Sequence, residues 1–216
     1  QMVQANKRDN IIIIGAGMGG LAAGVYGQLN GYKTQIFEMH NLPGGQCASW
    51  KRKGYTFDGC IHHLFGCSPQ TKINAVWREL GAMPRDLAFM REKVAVSSPE
   101  GKLFSDYYDL QRLEAHLKEL SPQDAQAIDE YLASIRAFGG LDMWGDLMAG
   151  GIGDKLRFMP SLLPKIRLFG TTMAQYATRF SDPFLRRAFP LMGYSIPDMP
   201  LAMHLLFHSY GCMQDV

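Results

Sequence analysis

The stretch from Asn10 to Glu38, NIIIIGAGMGGLAAGVYGQLNGYKTQIFE, decides how this chain begins to fold. Its isoleucine run predicts a strand that is buried on both faces of a parallel sheet. Three glycines follow with G-x-G-x-x-G spacing. Gly15 suits a tight turn out of the strand, Gly17 lets the backbone approach a pyrophosphate, and Gly20 permits close packing of helix on strand. We therefore expect a helix whose N-terminus faces an anion.

The residues after this helix predict the rest of a βαβ unit. Gly31 is a plausible helix stop, and residues 34–37 read as a second strand. Glu38 stands at the carboxyl end of that strand, where an acid accepts hydrogen bonds from an adenosine ribose. A glycine-rich strand–helix turn that binds nothing is the alternative, but strand, helix, second strand and acid at this spacing favour a dinucleotide site.

Composition excludes several other classes of protein. The 216 residues are 47% hydrophobic and 19% charged, which suits a chain with a real core rather than a disordered one. The net charge of +2 argues against a nucleic-acid partner. The four cysteines show no C-x-x-C pairing, so we expect reduced thiols and a cytoplasmic protein. Glycines throughout the uncharged run 11–32 argue against a signal peptide or a membrane span.

The chain beyond the βαβ unit mixes strands with helices. We expect a short strand around Tyr55 with a turn at Asp58-Gly59, and a hairpin over 93–104. Helix starts are indicated by capping residues and by prolines. The predicted helices cover 71–80, 110–120 with Asp109 as cap, Ser121 to about Phe138, and two that begin at Pro183 and Pro200.

Residues 154–169 form an unusual basic and apolar segment. The cations Lys155, Arg157, Lys165 and Arg167 interleave with large apolar residues. The pattern is typical of a surface that docks on a membrane. A lid or substrate-domain helix that packs on its own core explains it equally well, and the sequence leaves both readings open.

Four features together carry a family resemblance. They are the glycine turn Gly15 to Gly20, the acid Glu38, the pair Gly44-Gly45, and the stretch Gly54 to Gly59. The chain resembles the N-terminal half of the FAD-dependent phytoene desaturase, carotenoid isomerase and retinol saturase family, within the amine oxidase-like flavoproteins. The resemblance covers roughly residues 9 to 210, and its first 60 residues are the ones specific to a cofactor.

The resemblance implies a fold and an activity. The fold would be α/β, a Rossmann-like FAD-binding domain with a parallel sheet and an inserted α+β substrate domain. Residues 9–85 would form the N-terminal part of the FAD-binding domain, and residues 86–216 would form part of a substrate- and membrane-facing domain. The activity would be that of an FAD-dependent oxidoreductase that transfers hydride between flavin and an apolar, isoprenoid-like substrate. By the same resemblance, the residues that hold FAD would be Gly15, Ala16, Gly17, Met18, Gly19, Gly20, Glu38, Met39, Gly44, Gly45, Gln46 and His62.

Two departures from the family pattern matter. Gln46 stands where the wider group often has arginine, so the phosphates would depend more on the helix N-terminus. The chain is also about half as long as family members, so it would need the C-terminal half of the same protein as its partner and would be inactive alone. The alternatives are a flavin amine oxidase-like enzyme with a small substrate, and a non-catalytic lipid-binding chaperone like the Rab GDP-dissociation inhibitors. We expect a cytoplasmic protein with peripheral membrane contact.

Histidine spacing suggests little further chemistry. His204 and His208 are four residues apart on a predicted helix, a spacing that can hold a metal ion. No acid stands near them in the sequence, so we expect a structural helix face and no metal site. His62 is a candidate neighbour of the flavin. No catalytic base can be identified from these residues.

Overall fold

The computed structural model describes residues 9–60, 64–142, 145–146, 150–193, 196 and 198–212. The chain divides into two compact units. The first contains residues 1–65 and 75–83, and the second contains residues 66–74 and 84–216.

The first unit begins with the predicted βαβ arrangement. Strand β1 (Asn10–Ile14) and strand β2 (Lys33–Phe37) pair in parallel, with helix α1 (Met18–Leu29) between them in the chain. A Cβ added at Gly24 would lie 2.8 Å from Ile36 Cδ1, so the helix lies close against the sheet only because this position is small. The sequence therefore predicted this unit correctly, including the need for small residues on one face of the helix.

The opposite face of this sheet is uncovered, which corrects one expectation. Burial alternates along β1, and the side chains of Ile12 and Ile14 are 65% and 81% exposed. Phe37 on β2 is 49% exposed. The prediction of a strand buried on both faces is wrong for the described residues. Helix α1 covers one side of this two-stranded sheet, and no other described element of the first unit covers the second side.

The rest of the first unit contains an antiparallel hairpin. Strand β3 (Ser49–Arg52) pairs with strand β4 (Tyr55–Asp58). The turn between them lies at Lys53 and Gly54, which both have positive φ, of 50° and 83°. The short strand expected around Tyr55 is β4, and it ends at the predicted turn signal Asp58-Gly59. Helix α2 (Lys72–Glu79) matches the helix predicted over residues 71–80, and the division between the units falls within it, after Asn74.

The second unit packs helices on a β-hairpin. Strand β5 (Glu92–Ser97) pairs antiparallel with strand β6 (Leu103–Tyr107), which confirms the hairpin predicted over 93–104. A core of buried apolar residues runs through this unit, from Phe104 on β6 to Leu206. The helices of the unit are α3 (Leu110–Leu120), α4 (Ala125–Ala137), α5 (Ile152–Leu162), α6 (Ile166–Phe169), α7 (Met173–Ala177), α8 (Pro183–Ala188) and α9 (Leu201–Cys212).

The predicted capping residues behave in two ways. Asp109 caps α3 as expected, since its carboxylate accepts hydrogen bonds from the backbone N–H groups of Gln111 and Arg112. The helix predicted to start at Ser121 begins a few residues later, at Ala125. A 3₁₀ turn over Pro122–Asp124 comes first, and Ser121 Oγ donates to Asp124 Oδ2 at 2.7 Å rather than accepting from the helix.

Candidate dinucleotide-binding site

The turn between β1 and α1 depends on glycine at its first and last positions. Gly15 has φ of +96°, and its N–H donates to the carbonyl oxygen of Phe37 at 2.7 Å. A Cβ added at Gly20 would overlap the carbonyl oxygen of Gly15. The turn is therefore tied to the end of β2, and the first turn of α1 lies directly against it.

The N-terminus of α1 presents free backbone donors. Gly17 is the N-cap and provides no side-chain cap, and the first turn contains no acidic residue. Within the described part of the chain, no acceptor takes the N–H groups of Met18, Gly19 and Gly20. The positive end of the helix dipole lies at the same place. These groups can therefore bind an anion such as a phosphate.

Glu38 lies beside this turn and is held by the backbone. Its carboxylate accepts from His40 N at 2.8 Å and from Ala16 N at 2.6 Å. The N–H of His40, and then that of Ala16, lower the pKa of Glu38 below its usual value, so the group is ionised at neutral pH. An oriented carboxylate at the end of β2 can accept hydrogen bonds from the hydroxyl groups of a ribose.

The second glycine pair lies against the glycine turn. Gly44 N donates to Ala16 O at 2.7 Å, and Gly44 and Gly17 form a parallel bridge. Gly44 and Gly45 have φ of +120° and +58°, which other residues rarely adopt. A Cβ added at Gly45 would lie 3.1 Å from Gly17 Cα. Two backbone segments thus meet without side chains between them.

Three of the predicted site residues are exposed or lie outside the described part of the chain. The side chain of Met39 is fully exposed, and Gln46 is exposed after the glycine pair. His62 lies outside the described residues. Gly59 lies against the residues that follow the glycine pair, since its N–H donates to Ala48 O at 3.2 Å. The assignment of all twelve residues to a cofactor stays a prediction.

A buried polar cluster in the second unit was missed. The expectation that no acid accompanies the two helix histidines is wrong, because Asp106 Oδ1 lies 3.1 Å from His208 Nδ1. Asp106, His204 and His208 have no exposed surface. Strand periodicity could have indicated that Asp106 is buried. Residues two apart on a strand share a face, and Asp106 is two residues from the apolar Phe104.

The comparisons with known proteins define the class first. The profile of the NAD(P)-binding Rossmann-like domain family matches residues 13–80. This range contains the glycine turn, Glu38 and the second glycine pair. The fold class expected for the first unit is therefore confirmed.

Curated relatives then define the kind of Rossmann-like protein. The chain is 28% identical to a phytoene desaturase (lycopene-forming) of a Paracoccus species over 82% of its own length. It is 28% identical to the all-trans-retinol 13,14-reductase of Danio rerio over 79% of its length. It is 31% identical to the chloroplastic prolycopene isomerase of Arabidopsis thaliana over 44% of its length. The chain is thus a homologue of phytoene desaturases, retinol reductases and prolycopene isomerases, which confirms the resemblance.

These matches cover part of each relative. The aligned regions span 36% of the Paracoccus desaturase, 27% of the retinol reductase and 17% of the isomerase. Among solved structures, that of wild-type putrescine oxidase bound to putrescine matches 96% of this chain and 44% of its own. That match has 18% identity and a TM-score of 0.49.

Proposed function

We propose that the chain forms one wall of the FAD site of an oxidoreductase that acts on an apolar, isoprenoid-like substrate. The observation that carries the proposal is the meeting of two glycine segments, at Gly17 and Gly45, beside the ionised Glu38. The relatives support the substrate class, because their names refer to phytoene, retinol and prolycopene.

The residues present fit a dinucleotide. Free N–H groups from Met18 to Gly20 would hold the pyrophosphate, and Glu38 would hold the ribose. Gly45 and Gly17 approach each other with no side chain between them, and a Cβ at either position would occupy the space between the two backbone segments. We assign Gly44, Gly45 and Gln46 to the cover over the phosphates. The second glycine pair favours FAD over NAD, because a longer ligand needs more backbone donors.

The chemistry would come from the cofactor, while the chain binds and orients. Bound flavin supplies hydride transfer at N5. Among the described residues, none is assigned here as an acid or base. The role of this chain would be to hold the nucleotide end in place and to keep an apolar substrate away from water.

The exposed face of the first sheet needs a cover. Ile12, Ile14 and Phe37 present apolar surface that monomeric proteins normally bury. The relatives are more than twice as long as the regions that match. We assign this cover to the C-terminal half of the same protein.

Bound flavin tests the central proposal. The complete protein, reconstituted with excess FAD and freed of unbound ligand, should be yellow and absorb at about 450 nm, because oxidised flavin would remain bound. A colourless protein would contradict the oxidoreductase and favour the lipid-binding chaperone. The substrate class is tested separately, by adding either a polyene or a small amine to the flavin-loaded protein. A substrate should reduce the oxidised flavin and bleach its colour, or reoxidise the reduced flavin and restore it. A response to the amine alone would favour the amine oxidase-like enzyme.

The basic and apolar segment is the candidate membrane-contact surface. Within residues 154–169, Leu156, Met159, Leu163 and Ile166 are each between 46% and 66% exposed. The cations Lys155, Arg157 and Arg167 are also exposed. The packing alternative holds for other residues of the segment, because Leu162 and Leu168 pack against the core, and Lys165 Nζ lies 5.4 Å from the ring centre of Phe138. No helix in the described part of the chain is long and apolar enough to span a membrane.

Liposome binding tests this surface. We expect co-sedimentation with anionic vesicles that weakens as salt is added. Neutralising Lys155, Arg157 and Arg167 to glutamine should weaken binding up to about 150-fold, at about 1 kcal/mol for each cation near the surface. The matched control neutralises Lys51, Arg52 and Arg85, which are exposed cations outside the segment. Equal loss in the two triple variants would refute a localised surface.

A further inference from the structure

The buried cluster of the second unit brings together three potential metal ligands from distant parts of the chain. Asp106 comes from β6, and His204 and His208 come from successive turns of α9. One ligand atom of each lies within 4.8 Å of the others, and all three side chains are fully buried. Histidine nitrogen and carboxylate oxygen are ligands that Zn²⁺ accepts in proteins.

Polar groups in this cluster are poorly satisfied without a further partner. The ion pair between Asp106 Oδ1 and His208 Nδ1 is 3.1 Å long. Within the described residues, neither carboxylate oxygen of Asp106 and neither ring nitrogen of His208 has a well-directed hydrogen bond. Buried polar atoms in this state cost free energy unless a water molecule or an ion completes their contacts. The cluster therefore points to a ligand.

The ring of His204 is already oriented for ligation. Its Nε2 lies 2.7 Å from the hydroxyl of Tyr131, and its Nδ1 lies 3.1 Å from Lys93 Nζ. A charged Lys93 can only donate, so in that state Nδ1 is the acceptor and Nε2 carries the proton that Tyr131 accepts. A histidine that binds metal through one nitrogen commonly gives its other N–H to an oxygen in this way. The lone pair of Nδ1 thus already faces a cation.

We propose that Asp106, His204 and His208 form a buried structural site for a divalent metal ion, with Zn²⁺ as the preferred ion. The ammonium of Lys93 holds the cation position beside His204 in the metal-free chain, and metal binding displaces it. Zinc bonds to nitrogen and oxygen of about 2.0–2.1 Å place tetrahedral ligands about 3.4 Å apart. Asp106 Oδ1 and His208 Nδ1 are already this close, at 3.1 Å. Since all three ligand atoms lie within 4.8 Å of one another, any remaining approach is at most about 1.4 Å.

The ligand set excludes other common ions. Ca²⁺ and Mg²⁺ prefer six or more oxygen ligands, whereas this cluster offers two imidazoles and one carboxylate. A mixed set of imidazole and carboxylate suits Zn²⁺ or its spectroscopic substitute Co²⁺. The three side chains leave the fourth tetrahedral position to a water molecule. Because all three are fully buried, we assign the ion to stabilising the contact of β6 with α9 rather than to catalysis.

Cobalt binding tests the site in the 216-residue chain after removal of metal with a chelator. We expect one Co²⁺ per chain, with visible absorption of a tetrahedral complex and a raised Tm, and displacement by Zn²⁺. Asp106→Asn and His208→Gln should weaken binding at least about tenfold, and Tyr131→Phe about tenfold, by analogy with supporting partners of metal ligands. His40→Gln, which removes an exposed histidine elsewhere, should leave binding unchanged.

Lys93→Met separates a metal site from a purely internal ion-pair network. Loss of the competing ammonium should tighten Co²⁺ binding, a gain that an unfolded variant cannot mimic. Far-ultraviolet circular dichroism confirms that each variant is folded. No stoichiometric Co²⁺ in the wild-type chain, or a wild-type affinity in folded Asp106→Asn, would overturn the proposal.

Discussion

The two units of this molecule differ in which groups form the candidate site: backbone groups in the first unit and side chains in the second. In the first unit, the candidate site consists of backbone N–H groups and bare glycines, as at Gly17 and Gly45. In the second unit, the polar groups of interest are buried side chains such as Asp106 and His208. The comparison shows that a site built from backbone leaves a short pattern in the sequence. A site built from side chains depends on contacts between residues far apart in the chain.

The largest effect is expected from a substitution in the glycine turn of the first unit. Gly20→Ala would drive a Cβ into the carbonyl oxygen of Gly15, so the turn and the first turn of α1 must separate. We expect a loss of at least about 3 kcal/mol in the local stability of the βαβ unit. Hydrogen–deuterium exchange of the amides of β1 measures this loss.

The matched control for that substitution is Gly19→Ala. No atom lies within 4 Å of a Cβ added at Gly19. Alanine also has a higher helix propensity than glycine, so exchange should stay unchanged or slow slightly. Equal damage from both substitutions would show that the packing of helix on strand is not what requires glycine.

An effect of intermediate size is expected at Asp124, a buried side chain of the second unit. The carboxylate of Asp124 accepts from the backbone N–H of Ser181 at 2.7 Å and of Asp182 at 3.0 Å, and from the hydroxyl of Ser121 at 2.7 Å. Although burial raises the pKa of Asp124, bonds from Ser181, Asp182 and Ser121 lower it to about 2. Because the folded-state pKa lies below the unfolded-state pKa, the group stabilises the fold when the pH is above the unfolded-state pKa. This stability is lost as the pH falls from about 4 to about 2.

Acid unfolding of Asp124→Asn measures that contribution. The wild-type second unit should lose about 2 kcal/mol between pH 4 and pH 2 through this one group, and the variant should lose correspondingly less. The exposed Asp129→Asn serves as control and should keep the wild-type pH profile. The hydroxyl of Ser181 also donates to Asp124, at 2.7 Å. A wild-type profile in Asp124→Asn would show that these four hydrogen bonds do not hold the junction of α4 with α8.

The smallest expected effect concerns a local cap. Asp109→Ala removes the acceptor for the N–H groups of Gln111 and Arg112 and should cost about 1 kcal/mol in the free energy of unfolding. Asp109→Ser keeps an acceptor at the same position and should recover most of the loss. Urea denaturation compares the two, and equal loss would mean that the cap is not responsible.

Local signals explain what the sequence could predict. The βαβ unit, the hairpin at β5 and β6, and the cap at Asp109 each depend on residues that lie within one short, continuous stretch of the chain. The exposed face at Ile14 was not predicted, because a run of isoleucines does not show which faces of a sheet are covered. The cluster at Asp106 was not predicted either, because its partner His208 is about a hundred residues away.

Flavin affinity in two glycine variants tests the central claim most directly. Gly45 and Gly54 have φ of +58° and +83°, so alanine strains the backbone at both. A Cβ at Gly45 lies 3.1 Å from Gly17 Cα, whereas a Cβ at Gly54 meets no atom within 4 Å. We predict that Gly45→Ala weakens equilibrium FAD binding to the complete protein at least about tenfold, a cost of about 1.4 kcal/mol, while Gly54→Ala changes it less than about twofold. Equal affinities in the two variants would contradict a cofactor site built where the glycine segments meet.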